Sequence, residues 1–295
     1  MRINLKGKNL FQEIITFYNI LFIILKTKPD YLLTFTIKPN LYGGILSLFT
    51  NVKIIQNVTG FGTLHSQEGI IENITKKLYR FSTILSHKVF FQNREDCNFF
   101  VSANKKKPVN YSLIPGSGVD LSKFRPNFNA NNFDYSDNNC YKYLFFGRLL
   151  WEKGVGEFLD TAKYFHLNRI AANFLILGFL DVDNPSALKK EDITAAVNDG
   201  YVKYLGSSDN VYKYLSGVDC VIYPSYYREG VPRSLIESAA MGLPIITTDS
   251  VGCREVVKDG VNGFLCLPQN SNDLIQKVLT FQNLPKKQKI LMGKK

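Results

Sequence analysis

The sequence predicts an α/β protein with two domains, each built around an open parallel β-sheet. Its 295 residues, 45% of them hydrophobic, are enough for two hydrophobic cores of ordinary size. In the second half, short apolar runs alternate with amphipathic segments, which is typical of a parallel, doubly wound sheet. A stretch rich in Asn and Asp at 126–140 interrupts this pattern and predicts a linker between domains at 1–125 and 141–295.

The first half begins with an apolar segment at 10–26, which several polar residues interrupt. This segment is too short to span a bilayer comfortably, and it predicts a core or interface helix that ends before Pro29. The segment 37–43 contains Pro39 and is interpreted as a loop. The composition predicts strands and helices in alternation, with strands at 30–36, 52–58, 87–92 and 111–114 and helices at 44–49 and 70–85.

The second half alternates more regularly. Apolar runs predict strands, and amphipathic segments predict helices, with strands at 143–146, 173–177, 202–205, 220–223, 245–248 and 263–265 and helices at 156–165, 189–199, 210–216, 234–241 and 271–281. In sheets of this kind the ligand crevice lies beyond the carboxyl ends of the strands. Candidate functional residues are therefore expected in the loops that follow strands.

Positive charge is concentrated in the first half, where residues 1–130 carry a net charge of +10 and the remaining residues only +1. Such a surface fits contact with an anionic membrane or a diphosphate ligand, and it equally fits an ordinary Lys-rich solvated surface. No nucleic-acid recognition motif is present. Five scattered cysteines without C-x-x-C spacing argue against a disulfide framework or a zinc site, and they fit a reducing cytoplasm.

A glycine, an arginine and a lysine follow the strand predicted at 143–146, in the string Gly147-Arg148-Leu-Leu-Trp-Glu-Lys153-Gly154. This arrangement places two cations over the crevice. A nucleoside diphosphate is anionic, and its leaving group gains charge as the bond to the sugar breaks, so fixed cations there stabilise the transition state. Taken alone, the two cations also fit an ordinary surface loop.

Two carboxylates, Glu229 and Glu237, stand in the segment after the strand at 220–223. Glu229 lies in a loop, and Gly230 beside it lets the backbone approach a ligand closely. Glu237 lies about one turn into a helix that Ser234 or a neighbour is expected to cap, where a helix N-terminus favours a phosphate. Glu237 could hold two vicinal hydroxyls of a ribose. Each acid alone also fits a plain surface charge, whereas the whole string predicts a nucleotide-sugar site.

Three strings resemble the donor half of the family-4 glycosyltransferases: Gly-Arg-x4-Lys-Gly from Gly147, Glu-Gly-x-Pro-x-Ser-x-x-Glu from Glu229, and Gly-Val-Asn-Gly-Phe-Leu from Gly260. In the first half, the strings that begin at Thr36 and Asn57 resemble the branch that extends sugars on undecaprenyl diphosphate for capsule, O-antigen and N-glycan precursors. The resemblance implies a GT-B fold, with two Rossmann-like domains facing a cleft.

The resemblance also implies a reaction and its partners. It implies transfer of a hexose or N-acetylhexosamine from a nucleotide sugar, with UDP expected, to a lipid-linked diphosphate glycan, with retention of anomeric configuration. No metal or other cofactor and no nucleic acid are expected. The protein is expected in the cytoplasm, at the inner face of the cell membrane, in peripheral contact with anionic lipid through its basic first half.

The site residues that the resemblance implies fall into a donor set and a weaker acceptor set. Arg148 and Lys153 match the diphosphate clamp, Glu229 touches the donor sugar, and these three are the catalytic candidates. The donor set as a whole comprises Gly147, Arg148, Lys153, Glu229, Gly230, Val231 and Glu237. Many relatives carry a His directly after the strand at 52–58, where this chain has no His. The acceptor candidates here are Lys38, Thr59, Gly60 and His65.

The chain departs from the family at both ends. It starts near what resembles the third helix of the first domain, and it stops at 291–295, where the family continues into a helix that crosses back to that domain. The resemblance therefore implies an incomplete N-terminal domain, with an exposed sheet edge and exposed apolar surface. The alternative function is accordingly a remnant that binds nucleotide without transfer. A sugar-nucleotide epimerase would need an acid–base pair at the domain junction, and a phosphorylase would need a cofactor lysine motif. Neither feature is recognisable in the sequence.

Overall fold

Two parallel β-sheets form the cores of two compact units, Met1–Ile114 and Pro115–Lys295, in a computed structural model of the chain. We call them the N-terminal unit and the C-terminal unit. The structure describes residues 10–60, 62, 70–101, 109–126, 140–180 and 184–295. The parallel sheets confirm the predicted α/β fold class. Of the linker predicted at 126–140, only the two end residues are described.

The N-terminal unit alternates helices and strands around a four-stranded parallel sheet of order β1-β2-β3-β4. Its elements are α1 (Leu10–Thr27), β1 (Tyr31–Phe35), α2 (Ile37–Leu46), β2 (Lys53–Val58), α3 (Ile70–Leu85), β3 (Lys88–Phe91), α4 (Arg94–Val101) and β4 (Tyr111–Leu113). The interpretation of 37–43 as a loop is wrong, because this segment is the first part of α2. Pro39 is accommodated because it lies in the first turn, where a backbone N–H has no helical acceptor.

A cluster of apolar side chains covers only one face of the sheet at its β1 edge. Along β1, Thr34 is buried, whereas Tyr31, Leu33 and Phe35 are 47%, 59% and 51% exposed. Since successive side chains of a strand point to opposite faces, one face of β1 is uncovered. Helix α1 also exposes an apolar stripe at helical spacing, formed by Phe11, Ile14, Ile15, Tyr18, Phe22 and Leu25. Among the helices that the structure describes, none is both long and apolar enough to traverse a bilayer.

The C-terminal unit contains a six-stranded parallel sheet of order β10-β9-β8-β5-β6-β7. A short 3-10 helix at Trp151–Lys153 follows the first strand. The other elements are β5 (Tyr141–Phe146), α5 (Val155–Leu167), β6 (Ala172–Leu177), α6 (Lys190–Asn198), β7 (Lys203–Tyr204), α7 (Val211–Leu215), β8 (Cys220–Tyr223), α8 (Arg233–Ala240), β9 (Ile245–Thr248), β10 (Gly263–Cys266), α9 (Ser271–Asn283) and α10 (Lys286–Gly293).

The core of the C-terminal unit is continuous and covers both faces of its sheet. Every residue of β8 and β9 is buried, and so are the last four residues of β5. Because side chains alternate between the two faces, complete burial requires cover on both sides. Phe124 packs on this cluster, which explains why the segment after Ile114 belongs to the C-terminal unit.

Candidate functional site

The strand order of the C-terminal unit brings two distant loops together. β5 and β8 are hydrogen-bonded neighbours, although β6 and β7 lie between them in the sequence. The chain builds one side of the sheet after β5 and then returns to build the other side from β8. In doubly wound sheets this switch point opens a crevice at the carboxyl ends of the strands. The loops at 147–154 and 224–232 therefore border the same crevice.

Lys153 and Glu229 form an ion pair in this crevice. Lys153 Nζ lies 2.6 Å from Glu229 Oε2, and only 3% of the lysine and 19% of the glutamate side chain are exposed. The ammonium also lies 4.6 Å from the centre of the Tyr227 ring. Two residues that the sequence assigned to one site thus have their charged atoms in contact.

Two hydroxyl groups hold the other oxygen of the Glu229 carboxylate. The Tyr223 hydroxyl donates to Glu229 Oε1 at 3.4 Å, and Ser225 Oγ donates to the same atom at 3.3 Å. Tyr223 is the last residue of β8, and its ring stacks on Phe145 of β5 with centroids 5.5 Å apart. The carboxylate is therefore contacted on both oxygens by side chains of the protein.

Backbone contacts fix the two loops to each other. The Glu152 carbonyl accepts hydrogen bonds from the N–H groups of Tyr226 and Tyr227, at 3.1 and 3.0 Å. Gly154 has a φ of +80°, and a Cβ at this position would lie 2.1 Å from the Pro224 carbonyl oxygen. Only glycine combines this conformation with this close approach. The position of Lys153 relative to Glu229 is thus set by main-chain geometry.

A glycine that the sequence analysis did not single out supports the backbone at Glu229 and Gly230. Gly252 follows β9 with a φ of +85°, and a Cβ there would lie 1.6 Å from the Gly230 carbonyl oxygen. Tyr223 and Ser225 were missed as well. For Gly252 the available signal was strand order, because a loop after β9 must border the loop after β8 when the two strands are neighbours.

Gly147 and Arg148 begin the loop after β5. Gly147 has a φ of +142°, and a Cβ on Gly178 of the next strand's loop would lie 2.1 Å from the Gly147 carbonyl oxygen. Arg148 is exposed. Burial raises the pKa of the Tyr223 hydroxyl well above its usual value, and the Arg148 guanidinium opposes this rise. Arg148 therefore lies just after the carboxyl end of β5, with an exposed side chain.

The segment from Gly230 to the start of α8 closes the crevice on one side. Gly230 and Val231 are buried. The N-cap of α8 is Pro232, two residues before Ser234, and Ser234 is the second helical residue. The first turn of a helix carries unpaired N–H groups and a partial positive charge, which favour an anion.

Glu237 lies one turn into α8 and pairs with Arg233. Arg233 Nε is 2.7 Å from Glu237 Oε1, with 70% of the arginine side chain but only 10% of the glutamate side chain exposed. Burial raises the pKa of Glu237, and the hydrogen bond and charge of Arg233 oppose the rise. A shielded carboxylate with one mobile, exposed partner can exchange that partner for the hydroxyls of a ligand.

The crevice offers cations and amides rather than a metal-binding set. Within the described ranges, no group of three or more His, Cys, Asp or Glu side chains is placed to hold a metal ion. Arg148 and Lys153 are the groups in this crevice that could neutralise a diphosphate.

Lys38, an acceptor candidate, is engaged within the N-terminal unit. It lies in the first turn of α2, and its Nζ is 2.6 Å from Glu13 Oε1 of α1. Tyr42 donates a hydrogen bond to the other oxygen of Glu13. Burial acts to raise the pKa of Glu13, but the hydrogen bonds from Lys38 and Tyr42 leave it lowered overall. An acceptor phosphate at Lys38 would therefore compete with an internal carboxylate.

The remaining acceptor candidates follow β2. Thr59 and Gly60 come directly after this strand, and Gly60 has a φ of +103°. Asn40 of α2 donates a hydrogen bond to the Asn57 carbonyl at 2.9 Å, which ties the end of β2 to a buried polar network. His65 lies outside the described residues. The contacts that the structure gives for Lys38 and for the end of β2 are therefore with Glu13 and with Asn40.

Residues 141–283 match the family model described as "Glycosyl transferases group 1". Of the curated relatives, an N,N'-diacetylbacillosaminyl-diphospho-undecaprenol alpha-1,3-N-acetylgalactosaminyltransferase from Campylobacter jejuni is 29% identical over 75% of this chain. A UDP-Gal:alpha-D-GlcNAc-diphosphoundecaprenol alpha-1,3-galactosyltransferase from Escherichia coli is 26% identical over 81%. The chain spans 59% and 63% of the lengths of these two relatives.

A solved structure shares the fold over nearly all of the chain. The sucrose-phosphate synthase of Thermosynechococcus elongatus superposes with a TM-score of 0.81 at 19% identity, covering 98% of this chain and 73% of that protein. At this identity the likeness concerns the fold alone, which is the α/β architecture of GT-B glycosyltransferases. Residues 141–283 are thus similar to group 1 glycosyltransferase domains, and the chain that carries them shares this fold.

Proposed function

We propose that the chain is a retaining, family-4 glycosyltransferase that moves a hexose or N-acetylhexosamine from a UDP-sugar to an undecaprenyl diphosphate-linked glycan. The observation that carries the proposal is the buried Lys153–Glu229 pair at the carboxyl ends of β5 and β8, next to the N-terminus of α8. This combination offers a cation for a diphosphate, a carboxylate for a sugar hydroxyl and a helix terminus for an anion.

In the proposed donor complex, Arg148 and Lys153 bind the diphosphate, and Glu237 binds the ribose hydroxyls in place of Arg233. Glu229 and the amides of Gly230 and Val231 bind hydroxyls of the donor sugar. The two cations stabilise the leaving UDP more strongly as its charge increases, so they lower the barrier to bond cleavage.

The proposed chemistry is a front-face displacement. The acceptor oxygen forms a bond to the anomeric carbon while the bond from that carbon to the leaving phosphate oxygen breaks. The proton of the acceptor hydroxyl passes to an oxygen of the leaving phosphate, so no protein nucleophile is required. Since the positive charge comes from side chains, we propose that the transfer is independent of metal ions.

The lipid-linked acceptor is inferred from the names of the two curated relatives, both of which describe acceptors on diphosphoundecaprenol. The net charge of +10 in residues 1–130 and the apolar stripe of α1 support peripheral contact with the inner face of an anionic membrane. Lys38, Thr59, Gly60 and His65 remain the acceptor candidates. Capsule or O-antigen assembly is the proposed context.

A second candidate function is nucleotide-sugar binding without transfer. The pairing of Lys38 with Glu13 favours it, because this acceptor candidate is engaged with a carboxylate of its own unit. The two candidates share the donor site and differ in whether an acceptor is glycosylated.

The test is transfer by the 295-residue chain from UDP-Glc, UDP-Gal, UDP-GlcNAc and UDP-GalNAc to undecaprenyl diphosphate-linked sugars in detergent. Transfer with retained anomeric configuration, unchanged by EDTA, is the expected result. Glu229→Ala should reduce it about 100-fold or more. Glu191→Ala, which changes an exposed acid of α6, should leave it unchanged. Transfer unaffected by Glu229→Ala rejects the site, whereas UDP binding without transfer selects the second candidate.

A further inference from the structure

Glu229 has an unusually complete set of partners for a carboxylate in a loop. Its Oε2 contacts Lys153, and its Oε1 accepts from both Tyr223 and Ser225. The partners belong to three chain segments: the 3-10 helix after β5, the last residue of β8, and the loop after β8. A group held from several directions has few rotamers left, which is the requirement for preorganisation.

Tyr223 is itself held in place. Its side chain is 4% exposed, its ring stacks on Phe145 at an interplanar angle of 24°, and its carbonyl accepts a hydrogen bond from Thr247 Oγ1 at 2.6 Å. The Tyr223 hydroxyl is therefore carried on a fixed ring beside the Glu229 carboxylate.

The protonation state of Tyr223 suits this role. Burial raises the pKa of its hydroxyl well above the usual value of 10.0, and the negative charge of Glu229 raises it further. The hydroxyl therefore remains a neutral donor at physiological pH. Phenylalanine at this position would keep the stacked ring and remove only the donor.

We infer that Tyr223 is a positioning residue, which orients the Glu229 carboxylate toward the transferring sugar through its hydrogen bond, with Ser225 as a second support. This inference rests on the proposed role of Glu229. Because the hydroxyl contacts the carboxylate and not the nucleotide, its loss should affect the reacting geometry more than the affinity for UDP.

Tyr143→Phe is the matched control. Tyr143 is a fully buried tyrosine on the neighbouring strand β5, and its hydroxyl donates to Gln282 Oε1 at 3.0 Å, outside the donor crevice. Both substitutions delete one hydroxyl from the same core. A general effect of losing a buried hydroxyl would therefore appear in both variants.

The experiment measures kcat, donor KM, UDP affinity and a crystal structure for Tyr223→Phe, Ser225→Ala and Tyr143→Phe. Tyr223→Phe should lower kcat about 10-fold, with UDP affinity unchanged within about twofold and a displaced Glu229 side chain. Ser225→Ala should lower kcat by a smaller factor, and Tyr143→Phe should have the kcat and UDP affinity of the wild type.

Equal kcat in Tyr223→Phe and wild type overturns the inference, and so does an equal loss in Tyr143→Phe. A wild-type chain that transfers no sugar instead rejects the proposed function. The crystal structures still decide the positioning role in that case, since an unmoved Glu229 in Tyr223→Phe contradicts it.

Discussion

The two units are built on the same kind of parallel sheet but differ in how completely it is covered. In the C-terminal unit, β8 and β9 are buried at every residue. In the N-terminal unit, β1 exposes three of its five residues on one face. A parallel sheet is normally covered on both faces. The C-terminal unit therefore buries the apolar surface of its central strands, whereas the N-terminal unit leaves part of its apolar surface exposed to solvent.

The same contrast appears in the candidate sites. The candidate donor loops of the C-terminal unit are joined by an ion pair, hydrogen bonds and close backbone approach. In the N-terminal unit, the acceptor candidate Lys38 pairs with an internal glutamate, Glu13 of α1. We expect substitutions in the candidate donor site to have the largest effects on UDP binding, and substitutions on the exposed apolar surface to have the smallest effects on stability.

Gly252→Ala should abolish donor binding. Its Cβ would collide with the Gly230 carbonyl and push the donor loop away, and a displacement of about 1 Å can cost about 100-fold in activity. Gly260→Ala is the control, because Gly260 also has a positive φ, of +71°, but nothing lies within 4 Å of its Cβ position. UDP titration calorimetry should separate the two variants. Equal losses would mean that backbone strain, and not contact with the loop, sets the effect.

Lys153→Met should weaken UDP binding more than Arg148→Met does. Lys153 is 3% exposed beside Glu229, and its removal leaves that carboxylate without its cation, whereas Arg148 is exposed. We expect a loss of about 10- to 100-fold for Lys153→Met and about 3- to 10-fold for Arg148→Met. Titration with UDP measures both. A larger loss of UDP affinity in Arg148→Met than in Lys153→Met would contradict the proposal that the Lys153–Glu229 ion pair is the main part of the diphosphate site.

Glu237→Gln should lower UDP affinity about 10-fold without lowering stability. Burial raises the pKa of Glu237, so protonation of this acid is favoured in the folded state. Its contribution to stability is therefore present at low pH and is lost as pH rises through the raised pKa. Glutamine cannot lose a proton, and the variant should be as stable as wild type, or more so, at pH 7.

Thermal unfolding and UDP titration across pH test this prediction. When the pH is lowered, Glu237 becomes protonated, and the wild-type affinity for UDP should begin to fall while the pH is still above 4.5, the ordinary pKa of a glutamate. Glu191→Gln, at an exposed position of α6, should show no change in either measurement. A Glu237→Gln variant that is clearly less stable at pH 7 would show that the Arg233 ion pair outweighs the cost of burying the charge.

Phe22→Ser should change the free energy of unfolding by less than about 0.5 kcal/mol, the smallest effect expected here. Phe22 is 65% exposed on α1, whereas Leu144 in the core of the C-terminal unit is fully buried. Leu144→Ala should cost about 2–5 kcal/mol. Chemical denaturation measures both. A cost for Phe22→Ser as large as that for Leu144→Ala would show that something covers this side of α1 in solution.

The fold class was predictable, and so was the position of the candidate donor residues in loops after strands, because both depend on local order in the sequence. Alternating apolar and amphipathic segments indicate a parallel sheet, and the loops after strands indicate where charged residues meet. The helix at Ile37–Leu46 was missed because Pro39 was interpreted as a sign of a loop, whereas proline is tolerated in a first helical turn.

Other features depend on how a loop folds or on contacts between residues that are distant in sequence. The hydrogen bonds of Glu229 with Tyr223 and Ser225 form because the loop folds back on its own strand. The close approach of Gly252 to the Gly230 carbonyl arises because β8 and β9 are neighbours in the sheet. The pairing of Lys38 with Glu13 joins two helices. No pattern within a single segment encodes these contacts.

Hydrogen exchange of the chain with and without saturating UDP tests the central claim most directly. We predict that UDP slows exchange in peptides from 147–154 and 225–237, the two loops at the switch point and the start of α8, and leaves peptides from 70–101 of the N-terminal unit unchanged. Protection that is absent from both loops, or that is confined to other parts of the chain, would contradict the assignment of this crevice as the donor site.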